Sequence, residues 1–491
     1  MPQTNYQSRR QLQGGDWMAN EAAQREAALK RSTLFAFALP AVPIAALGLP
    51  LVVHIPPFYA KITGLDLTAI GALFMLIRFW DVFTDPVLGV LSDRFETRWG
   101  RRRHWIVASV PIVCLSVFMI FIPPFETVGP LYLFGWMVVL YIGWTLLTIS
   151  HMSWGAELTP SYNERSRVQG AREVALILGM VFVLALPIAI EQMQVADVAR
   201  ARVGVMGWFV VLLLPITVFF AVKFVGEQDT PRPKHVPFRE AIRVLGRNAP
   251  LRIILICDLL GGVAGGLVAS LFIFLAEDTL HLGAFSGILL LCYFLSGVIC
   301  IPLWIWMAGK IGKHRATAAS TAFSGITLPL ILFVPEGNAT IALIVWVIFG
   351  LNMAAGPFLY RSIMADVADH DAIETGQQRT GLFYSLLTMT NKVGAAFAIF
   401  IGFALLDQIG FVAGGENSTE ILDQLRLIYV LPGVVLSGVV IVLIWRFPID
   451  EETQVKNREV LERRALEATA AAIIDLTGEP ADPQSSGVVA D

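Results

Sequence analysis

Long apolar runs separated by short polar stretches organise the chain from residue 34 to residue 446. A helix needs roughly 20 apolar residues to cross the hydrocarbon of a bilayer. Twelve runs meet that length: 34–60, 67–91, 104–123, 129–157, 168–190, 204–225, 250–276, 284–308, 316–334, 339–365, 381–409 and 425–446. The pattern predicts an all-α membrane protein with twelve transmembrane helices. Pro40, Pro43, Pro50, Pro56 and Pro57 fall inside the first run, so that span is expected to be irregular. The glycine-rich patches GGVAGG at 261–266 and GLNMAAGPF at 350–358 predict close helix approach and bending in spans seven and ten.

Composition strengthens this picture. Of 491 residues, 56% are hydrophobic and 15% charged, against about 25% charged in ordinary soluble proteins. The mean hydropathy is +0.66. A net charge of −3 is too close to zero to imply nucleic acid as a partner. The four cysteines, Cys114, Cys257, Cys292 and Cys300, lie in apolar runs without metal-ligand spacing and read as small buried hydrophobes. The polar N-terminus has no cleavable signal pattern, so insertion would use the first span. No HExxH, GxSxG or paired Cys/His set occurs, which argues against an intramembrane enzyme. No nucleotide-binding loop occurs either, so no cofactor is expected and transport would draw on an ion gradient.

Positive charge sets the expected orientation. Lys and Arg gather in the N-terminal tail, the 92–103 loop, the 226–248 segment, the 310–315 loop and the C-terminal tail. The alternate loops hold few, among them Lys61, Arg200, Arg202 and Arg426. With an even span count both termini are expected in the cytoplasm, the protein being multi-pass in a plasma (bacterial inner) membrane. The chain also repeats itself: GVLSDRFETRWGRRR after span two has a counterpart, AGKIGKHR, six spans later. The expected organisation is a cytoplasmic tail at 1–32, a six-helix bundle at 33–225, a linker at 226–249, a second bundle at 250–447 and a tail at 448–491. Two such halves match the architecture of major facilitator transporters, in which substrate sits between the halves near the midplane. The linker is expected to include a short amphipathic helix. The 451–476 stretch reads as an amphipathic helix and the segment after it as disordered.

Charges inside spans are expensive, about 2.5–3.5 kcal/mol each on insertion scales, and so mark candidate sites. RFWDVFTDP in span two holds Asp81 and Asp85 at i, i+4, on one helical face, where they repel. Either one carboxylate keeps a proton or a cation sits between them, and both describe a coupling-ion site for H+ or Na+. Pro86 cannot donate to the Val82 carbonyl, which would free that oxygen for a hard cation. The plainer reading is a structural cluster neutralised by Arg78.

RFWDVFTDPVLG followed by TRWGRRRHW resembles the second span and following loop of the glycoside–pentoside–hexuronide:cation symporters, a family that includes melibiose permease and has vertebrate lysophospholipid transporters as relatives. DVADHDAIETGQQRTGLFYS, TMTNKVGAAFA and ERSRVQGAREVALILG resemble further family segments, in order, over about residues 33–447. The resemblance implies cation binding by Asp81 and Asp85, a span-eleven lysine at Lys392 and a span-five arginine at Arg172. It implies inward symport of a glycoside, sugar or hexuronide by alternating access. Trp154 stands at the family's sugar-stacking tryptophan. Ser150 replaces the acid of span four, and span one has no acid, so a neutral galactoside would have to be held by other contacts.

The remaining substrate-site candidates are basic or amphoteric: His54, His151, Arg172 and Lys392, with Asp258 of span seven as a possible counter-charge to Arg172 and Tyr384 as an aromatic wall. They suggest an alternative cargo, an anionic or zwitterionic amphiphile such as a lysophospholipid. A buried histidine bonded to a neighbour is the ordinary reading for His54 and His151. Asp93, Arg94, Arg101, Arg102 and Arg103 are expected to pair with helix ends of their own half and with acids across the cytoplasmic face, Glu157, Asp366 and Asp369, latching an outward-facing state; orienting the protein is the simpler role of the basic loop. A non-transporting sensor on the same fold is the rival of another class. The expected partners are a small-molecule substrate and the lipid bilayer, with a monomer as the working unit.

Overall fold

The computed structural model describes residues 29–95, 97–125, 127–159, 162–191, 193, 197–227, 244–376 and 379–477. The expected linker helix lies largely outside these residues, as do the first 28 residues and the segment from 478 on. Among the described residues the architecture is helical, with a single isolated bridge between Thr97 and Gly100. Eleven helices among the described residues are long and apolar enough to span a membrane, twelve with the bent pair at 283–311 taken as one span. The twelve-span, major facilitator architecture expected from the apolar runs is the one observed.

Span one is four short helices, α1 (Arg31–Ala38), α2 (Ala41–Gly48), α3 (Pro50–Val53) and α4 (Ile55–Ile62). Its breaks fall where the prolines remove amide donors, beside Pro40, Pro50 and Pro56. The rest of the first half is α5 (Leu67–Arg94), α6 (Arg103–Phe121), α7 (Pro130–Glu157), α8 (Tyr162–Glu191) and α9 (Val198–Phe224). In the second half α10 (Ala249–Phe274) runs into a π-helical turn, Leu275–Thr279. The kinked span eight is α11 (Ser286–Ile299) and α12 (Ile301–Ile311), and span nine is α13 (Lys313–Thr327). Span ten breaks at 351–354 between α14 (Ala339–Gly350) and α15 (Ala355–Thr375), inside the second glycine patch. Span eleven is α16 (Thr380–Gln408), span twelve α17 (Thr419–Trp445), and α18 (Glu451–Thr477) follows.

The halves meet along three seams: α5 against α16, α8 against α11, and the broken span one against α10. The first glycine patch brings α10 and α16 within the second half close together. A Cβ on Gly262 would lie 3.0 Å from the Asn391 carbonyl, and one on Gly266 only 2.5 Å from the Ala398 Cβ. The chain-end face is tied down near its first helix by Glu164, which accepts the Leu29 amide at 2.9 Å. The hydrogen bond from Arg167 to Glu164 holds that carboxyl below its usual range and keeps it ionised.

Candidate functional site

Asp81 and Asp85 project from one face of α5 toward the seam with α16, and the structure places Lys392 of α16 between them. Its Nζ lies 2.8 Å from Asp81 Oδ2 and also bonds Asp85 Oδ2. From α7, the Thr145 hydroxyl lies 3.2 Å from Asp81 Oδ1 and 2.9 Å from Asp85 Oδ1. Arg78 sits instead over the Tyr141 ring, 5.2 Å from its centroid. The like charges are thus held by an ammonium from the opposite half of the molecule. Asp81 is buried, whereas the Asp85 and Lys392 side chains keep 27% and 28% exposure. The oxygen set of Asp81, Asp85 and Thr145 suits a hard monovalent cation. Among the described residues no cluster of three or more His, Cys, Asp or Glu stands ready for a metal ion.

Beside this seam lies a cavity of about 670 Å³. Span one and α8 form one wall, and the helices of the second half form the rest. Its walls are mainly apolar, with Phe272, Phe294, Trp346 and Phe349 prominent. Asp258 is its one carboxylate, and no Lys, Arg or His lines it among the described residues.

Charged contacts divide by face. On the face opposite the chain ends, ion pairs cross between the halves. Arg202 lies 2.6 Å from Glu277, Lys61 lies 2.8 Å from Glu277, and Arg202 is 3.1 Å from Glu191 within its own half. Glu191 also crosses, accepting the Ser286 hydroxyl at 2.7 Å and the Gly287 amide at 3.0 Å. Thr68 donates across the same face to Asp407 at 2.7 Å. On the chain-end face, pairs within a half join Arg101 and Arg102 to Glu157 at 2.7 and 2.8 Å, Lys313 to Asp366 at 2.7 Å, and Arg379 to Asp371 at 2.8 Å.

The family model for MFS/sugar transport proteins matches residues 36–451. The chain belongs to that family. The transporter is 22% identical to the glucuronide carrier protein homolog of Escherichia coli (strain K12), over 83% of this chain and 92% of the relative. It is 24% identical to the sodium-dependent lysophosphatidylcholine symporter 1 of Mus musculus, over 85% and 86%. It shares 23% identity with the isoprimeverose transporter of Lactiplantibacillus pentosus, over 80% and 84%. The fold also matches the crystal structure of a D-xylose-proton symporter, with a TM-score of 0.61, 14% identity and coverage of 84% and 97%. A membrane transporter, and not an enzyme, is what this family comprises.

Of the substrate-site candidates read from the transporter's sequence, Asp258 alone lines the cavity. Ser150, His151 and Trp154 are buried inside the first bundle. The His151 ring stacks on Phe37 with centroids 4.5 Å apart and its Nε2 lies 2.8 Å from the Phe37 carbonyl, while the Trp154 indole donates to the Gly226 carbonyl at 3.2 Å. Burial against span one and the end of span six turns these three away from the central space. His54 sits at a break of span one, beside Lys61, Arg202 and Glu277 on the opposite face. Arg172 lies 3.4 Å from Glu173, not beside Asp258, and Tyr384 donates to the Arg361 carbonyl at 3.0 Å. Lys392 belongs to the carboxylate pair.

The gating candidates make contacts within their own halves on the chain-end face. Glu157, at the end of α7, is within reach of the basic loop of its own bundle, so it pairs there and not across the face. Asp366 pairs with Lys313 within the second half, Asp369 is half-buried on the same helix, Arg103 donates to the Val222 carbonyl, and Arg94 is exposed. The Asp93 side chain lies outside the described residues. Sequence reading missed Thr145, whose hydroxyl on span four was the available signal. It also missed the cross-half role of Glu191, Arg202 and Glu277, of which only Arg202 entered the reading, as a charge of an alternate loop.

Proposed function

We propose that the chain is a cation-coupled symporter that carries a small organic substrate by alternating movement of the bundles 33–225 and 250–447. Asp81, Asp85 and Thr145 form the coupling-ion site, and Lys392 is the resident cation that Na+ or H+ replaces. The observation that carries this is the Lys392 bridge across the α5–α16 seam. A proton on one carboxylate, or a sodium ion between the two, weakens their hold on Lys392 and so loosens a tie between the halves. Ion occupancy is thereby linked to the rearrangement that moves substrate. The basic loops on the chain-end face favour cytoplasmic termini, and with that orientation the cross-half pairs on the opposite face support an inward-facing state; the unit we propose is a monomer in the plasma membrane.

A glycoside, sugar or uronide is in line with two relatives, the glucuronide carrier protein homolog and the isoprimeverose transporter. The apolar cavity walls favour a second cargo class, an amphiphile. Arg172 lies outside the cavity lining, which removes the main support for an anionic head group there. Uptake into proteoliposomes of a panel of glycosides, uronides and lysolipids, with imposed Na+ or H+ gradients, tests the reading. Asp81→Asn and Asp85→Asn should each abolish gradient-driven accumulation. Unchanged coupling in both variants would refute the ion site.

A further inference from the structure

We propose that the central cavity binds an amphiphile with a cationic head at Asp258 and an apolar body among the aromatic walls of the second half. This rests on the reading of the chain as a transporter with its cargo between the bundles, and it names the class of that cargo. Asp258 is 5% exposed. Its carboxylate accepts from the Thr390 hydroxyl at 2.9 Å and from the Asn391 amide at 3.4 Å, both neutral donors. No ion pair joins it to a base among the described residues. Every other buried acid named above has a cationic partner: Asp81 has Lys392, Glu191 has Arg202, Asp366 has Lys313 and Asp371 has Arg379. Arg361 acts on it electrostatically but makes no hydrogen bond or ion pair with it, so a buried carboxylate that faces a cavity and touches only neutral donors leaves room for a cationic occupant to balance its charge.

The rest of the lining describes the body of that occupant. Phe272, Phe294, Trp346 and Phe349 offer π faces and apolar area but few hydrogen bonds. A sugar, with a hydroxyl on nearly every carbon, would lose hydrogen bonds against such walls. Two buried polar atoms in the lining lack partners, Asn352 Oδ1 and Tyr429 Oη. They can serve one or two polar groups along an otherwise apolar body. The volume of about 670 Å³ falls within the roughly 300–1,000 Å³ range of ligand pockets.

A matched series separates body from head. Binding to the full chain in lipid nanodiscs is measured by calorimetry, with empty nanodiscs as background and all probes below micelle formation. The probes are decyltrimethylammonium, decyl sulfate, decyl glucoside and methyl glucoside. The cationic probe should bind at least about tenfold more tightly than the sulfate, and methyl glucoside should show no measurable binding. Asp258→Asn should bring the cation-to-sulfate ratio close to one, Asp258→Glu should keep the preference, and Trp346→Ala should weaken all three decyl probes alike. Equal or tighter binding of the sulfate or the decyl glucoside would overturn the proposal, as would an unchanged ratio in a folded Asp258→Asn protein. Because Asp81→Asn should abolish coupling yet leave the head-group preference intact, failure of the ion site and failure of this inference are separable.

Discussion

Lys392 solves an electrostatic problem that two neighbouring carboxylates create, and its removal should expose that problem. Taking one partner from a buried ion pair costs about 3–5 kcal/mol, because the remaining charge stays uncompensated. The lower end applies here, since Lys392 and Asp85 keep more than a quarter of their side-chain exposure. Lys392→Ala should therefore lower the Tm in sodium-free buffer, and added Na+ or a lower pH should restore much of the loss. The wild type, with its own ammonium in place, should respond far less. A Lys392→Ala protein whose Tm ignores both sodium and pH would argue that these carboxylates hold no exchangeable cation. Thr145→Val tests the same oxygen set more gently. Losing one hydroxyl should weaken cation affinity by about fivefold, the equivalent of roughly 1 kcal/mol, read from the cation concentration that half-restores uptake.

At the scale of elements, the seam carrying Lys392 depends on glycines that let α16 lie against α10. A Cβ on Gly394 would lie 2.5 Å from the Leu259 carbonyl and 3.1 Å from the Val263 amide nitrogen, both backbone atoms that cannot swing aside. Gly394→Ala should cost about 1–3 kcal/mol by overpacking and should also weaken coupling, since Thr390, Asn391 and Lys392 ride on the same helix. Gly265→Ala is the matched control: its added methyl meets nothing within 4 Å, and it should leave the Tm within a degree or two of wild type. Equal Tm losses in both would mean that the close approach at Gly394 does not limit the packing of these helices, since alanine favours a helix over glycine at either position. Such elements were readable in advance where backbone chemistry dictates them, as with the proline breaks of span one, the glycine patches and the run lengths of the spans. The facing of each helix was not. In a membrane the lipid-facing and the core-facing sides are both apolar, so nothing in WTLLTISHMSW tells that Ser150, His151 and Trp154 turn into the first bundle while Thr145 turns toward the acids. Asp81 and Asp85 announced a missing cation through their spacing, but its supply by a residue 311 positions away is a matter of tertiary packing alone.

For the whole molecule, the decisive feature is that ion pairs cross between the halves on the face opposite the chain ends, at Lys61, Arg202 and Glu277. Alternating access requires the crossing set to break when the other face closes. Glu277 is its focal point, because the π-helical turn at the end of α10 presents one carboxylate to both Arg202 and Lys61 of the first half. Glu277→Gln would remove the anion that ties Lys61 and Arg202, both of the first half, to the second half, and Arg202 would keep Glu191 within its own half. The closed face loses two attractive pairs between the halves, so the equilibrium should move toward opening there by about tenfold, or roughly 1.4 kcal/mol. Spin labels at Leu131→Cys and Val412→Cys, exposed positions near that face in opposite halves, would report it in a background lacking the four native cysteines. The distance distribution should gain a longer component in Glu277→Gln, and Glu277→Asp should fall between the variant and wild type. Sodium should then shift the two populations in the same direction with or without Glu277, because the ion acts at Lys392 and not at this latch. An unchanged distribution in Glu277→Gln would place the closing force in apolar packing along the α8–α11 seam instead.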